Sequence, residues 1–364
     1  MADSAKIRVG VIGTGAFAQA CHIPGLQSHP QAEVVAICGR RADVAQAVAT
    51  KFGIPHVETD FRDLCARGDI DAVTVATPNI AHSEQVTESF KHNKHVFCEK
   101  PLGVNLAEAR TMAKTAEESN RVHQVGFTFR YNYGIRELRR RIRAGDIGQP
   151  FYVRVQYDNW DGLKTDWKIG WREKQELAGG GLLFDVGSHL FDIARHVIGP
   201  IEKVVGFTHH LPRLATDQDS GAKTEVETDD LANIWFAHDN GTRGQFFVSR
   251  ITPPFAPIGY LEVIGSTGAL KAALSRGGVD FLKVSQPSAA EWADLPLPPE
   301  AGDKQPHALG IMMRSFADSC LRGHIDEERD ASFKDGLAAQ EAIEAILTSQ
   351  TRECWVKLEE ARAR

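Results

Sequence analysis

The sequence predicts two domains of different class: an α/β domain over residues 1–128, built as a doubly wound parallel sheet, and an α+β domain over 129–364 with a large, mainly antiparallel open sheet. Three observations predict it. As far as residue 128, apolar strand-like runs alternate with helix-like segments of ~10 residues or more, which requires a parallel sheet covered by helices on both faces. From about 129, strand-like runs follow one another with no helix between them, as antiparallel strands do. A glycine-rich turn joins the first strand to the first helix.

The composition sets the outer bounds. A chain of 364 residues with 42% hydrophobic and 25% charged residues is long enough for substantial cores and has the balance of a globular protein. A net charge of −6 argues against nucleic acid as a partner, and the basic run Arg139, Arg140, Arg141 and Arg143 is expected to be a solvated helix face. No apolar stretch approaches the length of a membrane span, and the chain enters a strand at its start, so no membrane association is expected and the cytoplasm is the expected location. Cysteines 21, 38, 65, 98, 320 and 354 form no CxxC pair and are expected as reduced thiols, with no metal bound.

In chain order, KIRVGVIG (6–13) is a nearly continuous β-branched and apolar run that leads into GTGAFA. Strand AEVVAICG (32–39), helix ADVAQAVATKF (42–52) and strand DAVTVATP (71–78) follow. Helix IAHSEQVTESFKHN (80–93), strand HVFCEKP (95–101), helix NLAEARTMAKTAEESN (105–120) and strand RVHQVGFTF (121–129) complete the first domain.

Gly13, Gly15 and Ala18 fit the dinucleotide fingerprint in its G-x-G-x-x-A form, and the strand before and helix after it are the confirming context of a Rossmann domain. Gly13 permits the turn, Gly15 lets backbone N–H groups approach a pyrophosphate, and Ala18 lets helix and strand pack closely. Ala16 and Phe17 lie within the same turn. An acidic residue at the tip of the second strand would bind a ribose 2′-hydroxyl, but that tip reads Cys38, Gly39, Arg40, Arg41. Two guanidinium groups suit a 2′-phosphate, which favours NADP(H), with NAD(H) the alternative. Thr77, Pro78 and Asn79 end one strand as Glu99, Lys100 and Pro101 end the next, and in an open parallel sheet such tips face the ligand. His82, on the following helix, is a further cofactor-contact candidate.

The second domain reads as strands PFYVRVQYDN (150–159), IEKVVGFTHH (201–210), LANIWFAHDN (231–240), TRGQFFVSRI (242–251), YLEVIGS (260–266) and GALKAAL (268–274). Asn240-Gly241 is a favoured hairpin dipeptide. Helix-like segments at 308–322 and 333–352 close the chain, and the acidic segment 216–230 is expected to be a solvated loop. Within this domain GGGLLFDVGSHLFDIARHVI is an exception. A triple glycine, 179–181, precedes a helical pattern that sets Asp185 and His189 four residues apart on one face. Arg130 and Tyr131 follow the last strand of the first domain and are candidates for substrate contact. Trp160, Asp161, Trp167, Trp171 and Arg172 form a polar and aromatic group suited to a sugar ring.

Together, GTGAFA, CEKP and GGGLLFDVGSHLFD, with PNIAHSEQ, EVIGSTGAL and SFKDGLAAQEAI, resemble the Gfo/Idh/MocA family of sugar and cyclitol oxidoreductases over essentially the whole chain. The resemblance implies that Lys100, Asp185 and His189 line the substrate beside the nicotinamide ring, with His189 taking the hydroxyl proton, Lys100 polarising the oxygen and Asp185 orienting its neighbours. Some family members carry a tyrosine where His189 stands. The resemblance further implies a homodimer or homotetramer packed through sheets, acting on a small sugar or cyclitol. Two other functions fit the same pattern: a glycosidase that oxidises its sugar transiently with bound NAD, and a non-catalytic sugar or nucleotide sensor.

Overall fold

Strand β1 (Ile7–Ile12) is nearly all apolar because it is buried on both faces, with Val9 and Val11 fully inaccessible. Such a strand belongs at the centre of a parallel sheet, and it is found there. In the computed structural model, which describes residues 6–164, 166–253, 259–275, 281–289, 291–297 and 308–363, the first unit holds six strands. They are β1, β2 (Ala32–Cys38), β3 (His56–Glu58), β4 (Ala72–Val75), β5 (His95–Cys98) and β6 (His123–Val125), in the order 3-2-1-4-5-6 and all parallel. The order reverses between β1 and β4, and the carboxyl ends of strands at such a switch point form the ligand crevice. Helix Ala42–Phe52 coincides with its predicted limits and ends on Gly53 at φ +68°. The short elements β3 and helix Phe61–Ala66 have no counterpart in the sequence reading, being too brief to show a period.

This unit comprises residues 1–127 and 306–337, so the second domain expected as one piece over 129–364 lends a segment to the first. The physical reason lies at the sheet edge. β6 is only three residues long yet buries Gln124 and Val125 completely, and an edge strand needs cover. The Val125 N–H donates to Ala331 O at 2.9 Å, and the Gln124 amide donates to Ser319 Oγ at 3.1 Å. Helix Ala308–Arg322 also places Leu309 O 3.7 Å from Cys21 Sγ and Asp318 3.1 Å from His29.

The second unit, 128–305 with 338–364, is built on a nine-stranded sheet. Its strands β7 (Pro150–Asp158), β9 (Ile201–His209), β12 (Leu231–His238), β13 (Arg243–Ser249), β14 (Gly259–Gly265), β15 (Ala269–Leu274), β16 (Leu282–Ser285), β17 (Ala293–Asp294) and β18 (Val356–Lys357) run in the order 17-16-15-14-7-13-12-9-18. All pairs are antiparallel except β7 with β13, so the sheet is mixed. Alternation sets its faces: on β12, Ala232, Ile234 and Phe236 are buried while Trp235 is 45% exposed. Helix Ser188–Ile198 covers the buried face, where Phe191 meets Phe246 edge-on at 4.7 Å. Truncating Phe246 to alanine would cost about 3–5 kcal/mol. Asn240-Gly241 makes the β12–β13 turn, with Gly241 at φ +88°.

The acidic segment 216–230 is not the solvated loop that its composition predicts. It contributes β10 (Leu214–Asp217) and β11 (Lys223–Glu225), which pair with β8 (Lys168–Ile169) in a separate three-stranded sheet. Residues 218–225 are exposed, but two of its acids, Asp217 and Asp230, are buried in ion pairs that composition alone does not reveal. Asp230 is fully buried between Arg213 (2.5 Å) and Arg250 (2.7 Å), and Asp217 holds Lys174 at 2.6 Å. Among the described residues no helix is long and apolar enough to cross a membrane.

Candidate active site

In the first unit three strand tips converge. Gly13 follows β1 at φ +117°, and a Cβ there would stand 2.5 Å from Ala76 O, just beyond β4, so only glycine fits. Its N–H donates to Cys38 O at 2.9 Å, tying the turn to the tip of β2. A Cβ on exposed Gly15 would meet nothing within 4 Å, which leaves the approach open where a helix over 16–27 begins. Ala18 is fully buried, as close helix–strand packing requires. An open glycine turn followed by helix amides fits a dinucleotide pyrophosphate. Beyond β2, Arg40 and Arg41 are exposed, with no side-chain hydrogen bond or ion pair among the described residues. Glu33, the acid on β2, sits at the far end, opposite Arg8.

The segments beyond β4 and β5 are further tied together by His82. His82 is fully buried, with Nε2 3.1 Å from Thr77 O and Nδ1 3.1 Å from Pro101 O. Burial holds its pKa below the ordinary histidine value, against the two carbonyls. The expected cofactor contact is thus a strut between the segments that carry Thr77, Pro78 and Asn79 on one side and Glu99, Lys100 and Pro101 on the other. Thr77 Oγ1 donates to Gln85 at 2.7 Å, and Asn79 is buried. The Glu99 N–H donates to Val75 O at 3.0 Å, Lys100 is half-buried, and the Lys100–Pro101 peptide is cis.

In the second unit the helix carrying Asp185 and His189 starts with a wide i→i+5 turn, Leu183–Gly187, and continues as α-helix from Ser188. Such turns recur at functional sites. Its N-terminus is capped from a distance: the Asp229 carboxylate accepts from Gly181 N–H and Leu183 N–H, both at 2.8 Å. A Cβ on Gly181 would stand 2.3 Å from Asp229 O, which explains the last glycine of the triplet. Burial raises the Asp229 pKa, and the two amides oppose it. Asp185 is 35% exposed at its side chain, with Arg172 at 3.9 Å. Arg172 lies over the Trp171 ring at 4.4 Å. His189 is 2% exposed, its ring 4.9 Å from Phe129.

The group of residues expected to contact substrate is dispersed. Trp171 and Arg172 gather at Asp185, but Trp167 is enclosed between the Arg213 and Arg250 guanidinium groups at 4.8 and 5.0 Å. Asp161 pairs with Lys164 at 2.6 Å, and Trp160 is 47% exposed. Arg130 is buried in a bidentate pair with Asp192, at 2.8 and 2.5 Å, and Tyr131 is buried beside it in sequence. Two residues that the sequence reading missed are Asp229 and His22, whose Nε2 lies 3.1 Å from Glu99 Oε1. Neither stands in a recognisable motif; His22 is signalled only as a histidine in an apolar helical run.

Comparison with known proteins gives the same two parts. Residues 7–127 match the oxidoreductase family model described as GFO_IDH_MocA, NAD-binding Rossmann fold, and residues 135–271 match the GFO/IDH/MocA C-terminal domain. A 4-carboxy-2-hydroxymuconate-6-semialdehyde dehydrogenase of Sphingobium is 30% identical over 251 residues, 66% of this chain and 75% of the relative. A 1,5-anhydro-D-fructose reductase of Ensifer adhaerens is 32% identical over 266 residues, 72% of this chain and 74% of the relative. Among solved structures, a levoglucosan dehydrogenase in complex with NADH and levoglucosan has a TM-score of 0.89 at 24% identity, covering 97% of this chain and 99% of its own, a likeness of fold.

Proposed function

The chain belongs to the Gfo/Idh/MocA family of oxidoreductases, and from that premise we propose that it transfers a hydride between a nicotinamide dinucleotide and a ring secondary alcohol or carbonyl of a monosaccharide, sugar derivative or cyclitol. The observation that carries this proposal is the set of strand tips in the first unit: the glycine turn after β1 and Lys100 after β5 end strands of one sheet, with β4 between them. Bound nicotinamide supplies the hydride acceptor in oxidation and the donor in reduction.

The chain's own residues supply the rest. Gly13, Gly15 and the helix from Ala16 hold the pyrophosphate through backbone N–H groups. Lys100 donates to the substrate oxygen and stabilises the negative charge that develops there during oxidation, or polarises the carbonyl during reduction. A ring nitrogen of His189 takes the hydroxyl proton in one direction and returns it in the other, which suits a group whose unperturbed pKa is about 6.5. Asp185 orients the substrate or His189, and Trp171 offers an aromatic face to the ring. Lys100 belongs to one unit and His189 to the other, so the proposal requires both to act on the same oxygen.

The exposed Arg40 and Arg41 at the tip of β2 support NADP(H) over NAD(H), because each can pair with 2′-phosphate oxygens. The test is a panel of pyranoses and inositols with NADP+ and NAD+, followed at the reduced nicotinamide absorbance. A stoichiometric rise with at least one polyol is expected. Cleavage of a glycoside with no net nicotinamide change would replace the proposal with the glycosidase. Arg40→Ala should weaken NADPH binding about tenfold, equivalent to about 1.4 kcal/mol, and leave NADH unchanged; a preference for NADH in the unaltered protein would remove the arginine argument.

A further inference from the structure

We propose that His22 and Glu99 form a positioning pair that fixes the backbone from which Lys100 projects and ties it to the glycine turn. This rests on the role given to Lys100 above, and it assigns Glu99 to work through its neighbour.

The pair lies wholly within the first unit. His22 Nε2 and Glu99 Oε1 are 3.1 Å apart; the His22 side chain is fully buried and that of Glu99 is 11% exposed. His22 closes the i→i+5 turn Ala18–His22 in the helix that starts directly after the glycine turn, so its placement depends on a departure from regular helix. The ring is held edge-on by Phe17 at 5.8 Å, from that same helix, and by Phe97 at 5.3 Å, from β5. Glu99 is equally constrained: its Oε2 lies 3.4 Å from the N–H of Lys100. A Cβ on Gly126 would stand 2.6 Å from Glu99 Oε1, so the adjoining chain leaves room for this carboxylate and for nothing larger beside it.

The direction of the contact follows from what surrounds the ring. His22 Nδ1 is buried with no hydrogen-bond partner among the described residues. An N–H left there would cost about 1–3 kcal/mol, so the hydrogen sits on Nε2 and is donated to Glu99. Apolar side chains of similar volume often replace a buried polar pair at no loss of stability. Stability alone therefore gives little reason for a histidine and a glutamate here, whereas control of the adjacent Lys100 gives one.

The experiment compares His22→Ala, His22→Gln, Glu99→Gln and Lys100→Met in the full chain. Three quantities are measured: NADPH and NADH binding by fluorescence titration, the rate of Lys100 labelling by mass spectrometry in the ligand-free protein, and kcat and KM on the best polyol of the panel. His22→Ala should lower kcat by about 100-fold, as a misplacement of about 1 Å does, with dinucleotide binding and KM retained. It should also change the Lys100 labelling rate. His22→Gln places an amide N–H where the ring Nε2–H stood and should restore most of both, and Glu99→Gln should fall between the two because its carbonyl still accepts.

Unchanged kcat and labelling in His22→Ala, with only a lower melting temperature, would overturn the pair as a positioning device. So would a folded His22→Gln that behaves like His22→Ala. Should His22→Ala not fold, the contrast of His22→Gln and Glu99→Gln with the unaltered protein decides on the same readouts. If Lys100→Met retains turnover, the assignment of Lys100 fails on its own account, while the labelling rates still decide whether His22 and Glu99 position it.

Discussion

The Lys100 end of the first unit and the Asp185–His189 helix of the second meet the same mechanical need in different ways. In each unit a carboxylate anchors the segment that carries the candidate reactive side chain, and each unit contains a helix opened by an i→i+5 turn. In the first unit the carboxylate is Glu99, next in sequence to Lys100, and its partner is the side chain of His22. In the second it is Asp229, 48 residues from Gly181, and its partners are the backbone amides of Gly181 and Leu183 at a helix N-terminus. A side-chain anchor is lost by replacing one group. A backbone anchor is lost by disturbing the shape that brings the amides in, and here that shape depends on Gly181 having no Cβ.

The largest expected effect tests whether the two halves serve one reaction. Lys100→Met and His189→Ala should each lower kcat about 1,000-fold, within the range for loss of an oxyanion donor or a general base. The double variant should be scarcely worse than either single one, because groups that act on one proton and one oxygen are strongly non-additive. Losses that multiply would mean that the two halves do not share a transition state. His189→Ala should leave NADPH and NADH binding intact by fluorescence titration, which separates the halves by readout.

A smaller effect is expected from the two glycines that give each half its backbone. A Cβ at Gly13 would stand 2.5 Å from Ala76 O and one at Gly181 2.3 Å from Asp229 O, both fixed backbone atoms. Each alanine variant should lose about 1–3 kcal/mol of stability by overpacking. Their functional losses should divide: Gly13→Ala removes dinucleotide binding, while Gly181→Ala keeps it and lowers kcat by displacing the helix of Asp185 and His189. If Gly181→Ala weakens dinucleotide binding as much as Gly13→Ala does, the division of labour between the halves is wrong.

The same contrast governs what can be read from sequence. The glycine turn, the helix at 42–52 and the closing helices at 308–322 and 333–352 are legible because their signals are local: a fingerprint, a period, a cap. CEKP is legible for the same reason. Asp229 is not, because its segment looks like solvent-exposed acid until Arg213, Arg250 and the helix amides are brought to it by distant parts of the chain. The tryptophans illustrate the limit from the other side. Trp171 and Trp167 are equally aromatic in sequence, yet one lies beside Asp185's partner Arg172 and the other is enclosed by two arginines. The return of 306–337 to the first unit depends on the bare edge of β6, which no local pattern reports.

The smallest expected effect is on stability, and it separates the units by pH. In the first unit burial holds His82, His95 and His123 below the ordinary histidine pKa. His95 and His123 also accept backbone N–H groups on Nδ1, from Val122 at 3.0 Å and Phe333 at 3.2 Å, which only a neutral ring can do. A folded pKa below the unfolded value of about 6.5 means that the unfolded chain binds the proton first, so stability is present above that pH and is lost as pH falls through it. In the second unit burial likewise holds His238 low, beside the Gly199 and Pro200 carbonyls. There Asp230 is a different case: burial pulls it upward, but Arg213, the Leu211 N–H and Arg250 hold it below the carboxylate range, so its contribution is lost only as pH falls below about 3.8. The chain offers a reporter for each unit, because all six tryptophans, at 160, 167, 171, 235, 292 and 355, belong to the second. Between pH 7.5 and 5 the far-ultraviolet circular dichroism melt, which follows both units, should shift down further than the tryptophan fluorescence melt. His82→Gln, which keeps a donor for Thr77 O but cannot take up a proton, should narrow that gap. Two melts that move together at every pH, with His82→Gln without effect, would show that the units unfold as one and that the histidines of the first do not set its acid limit.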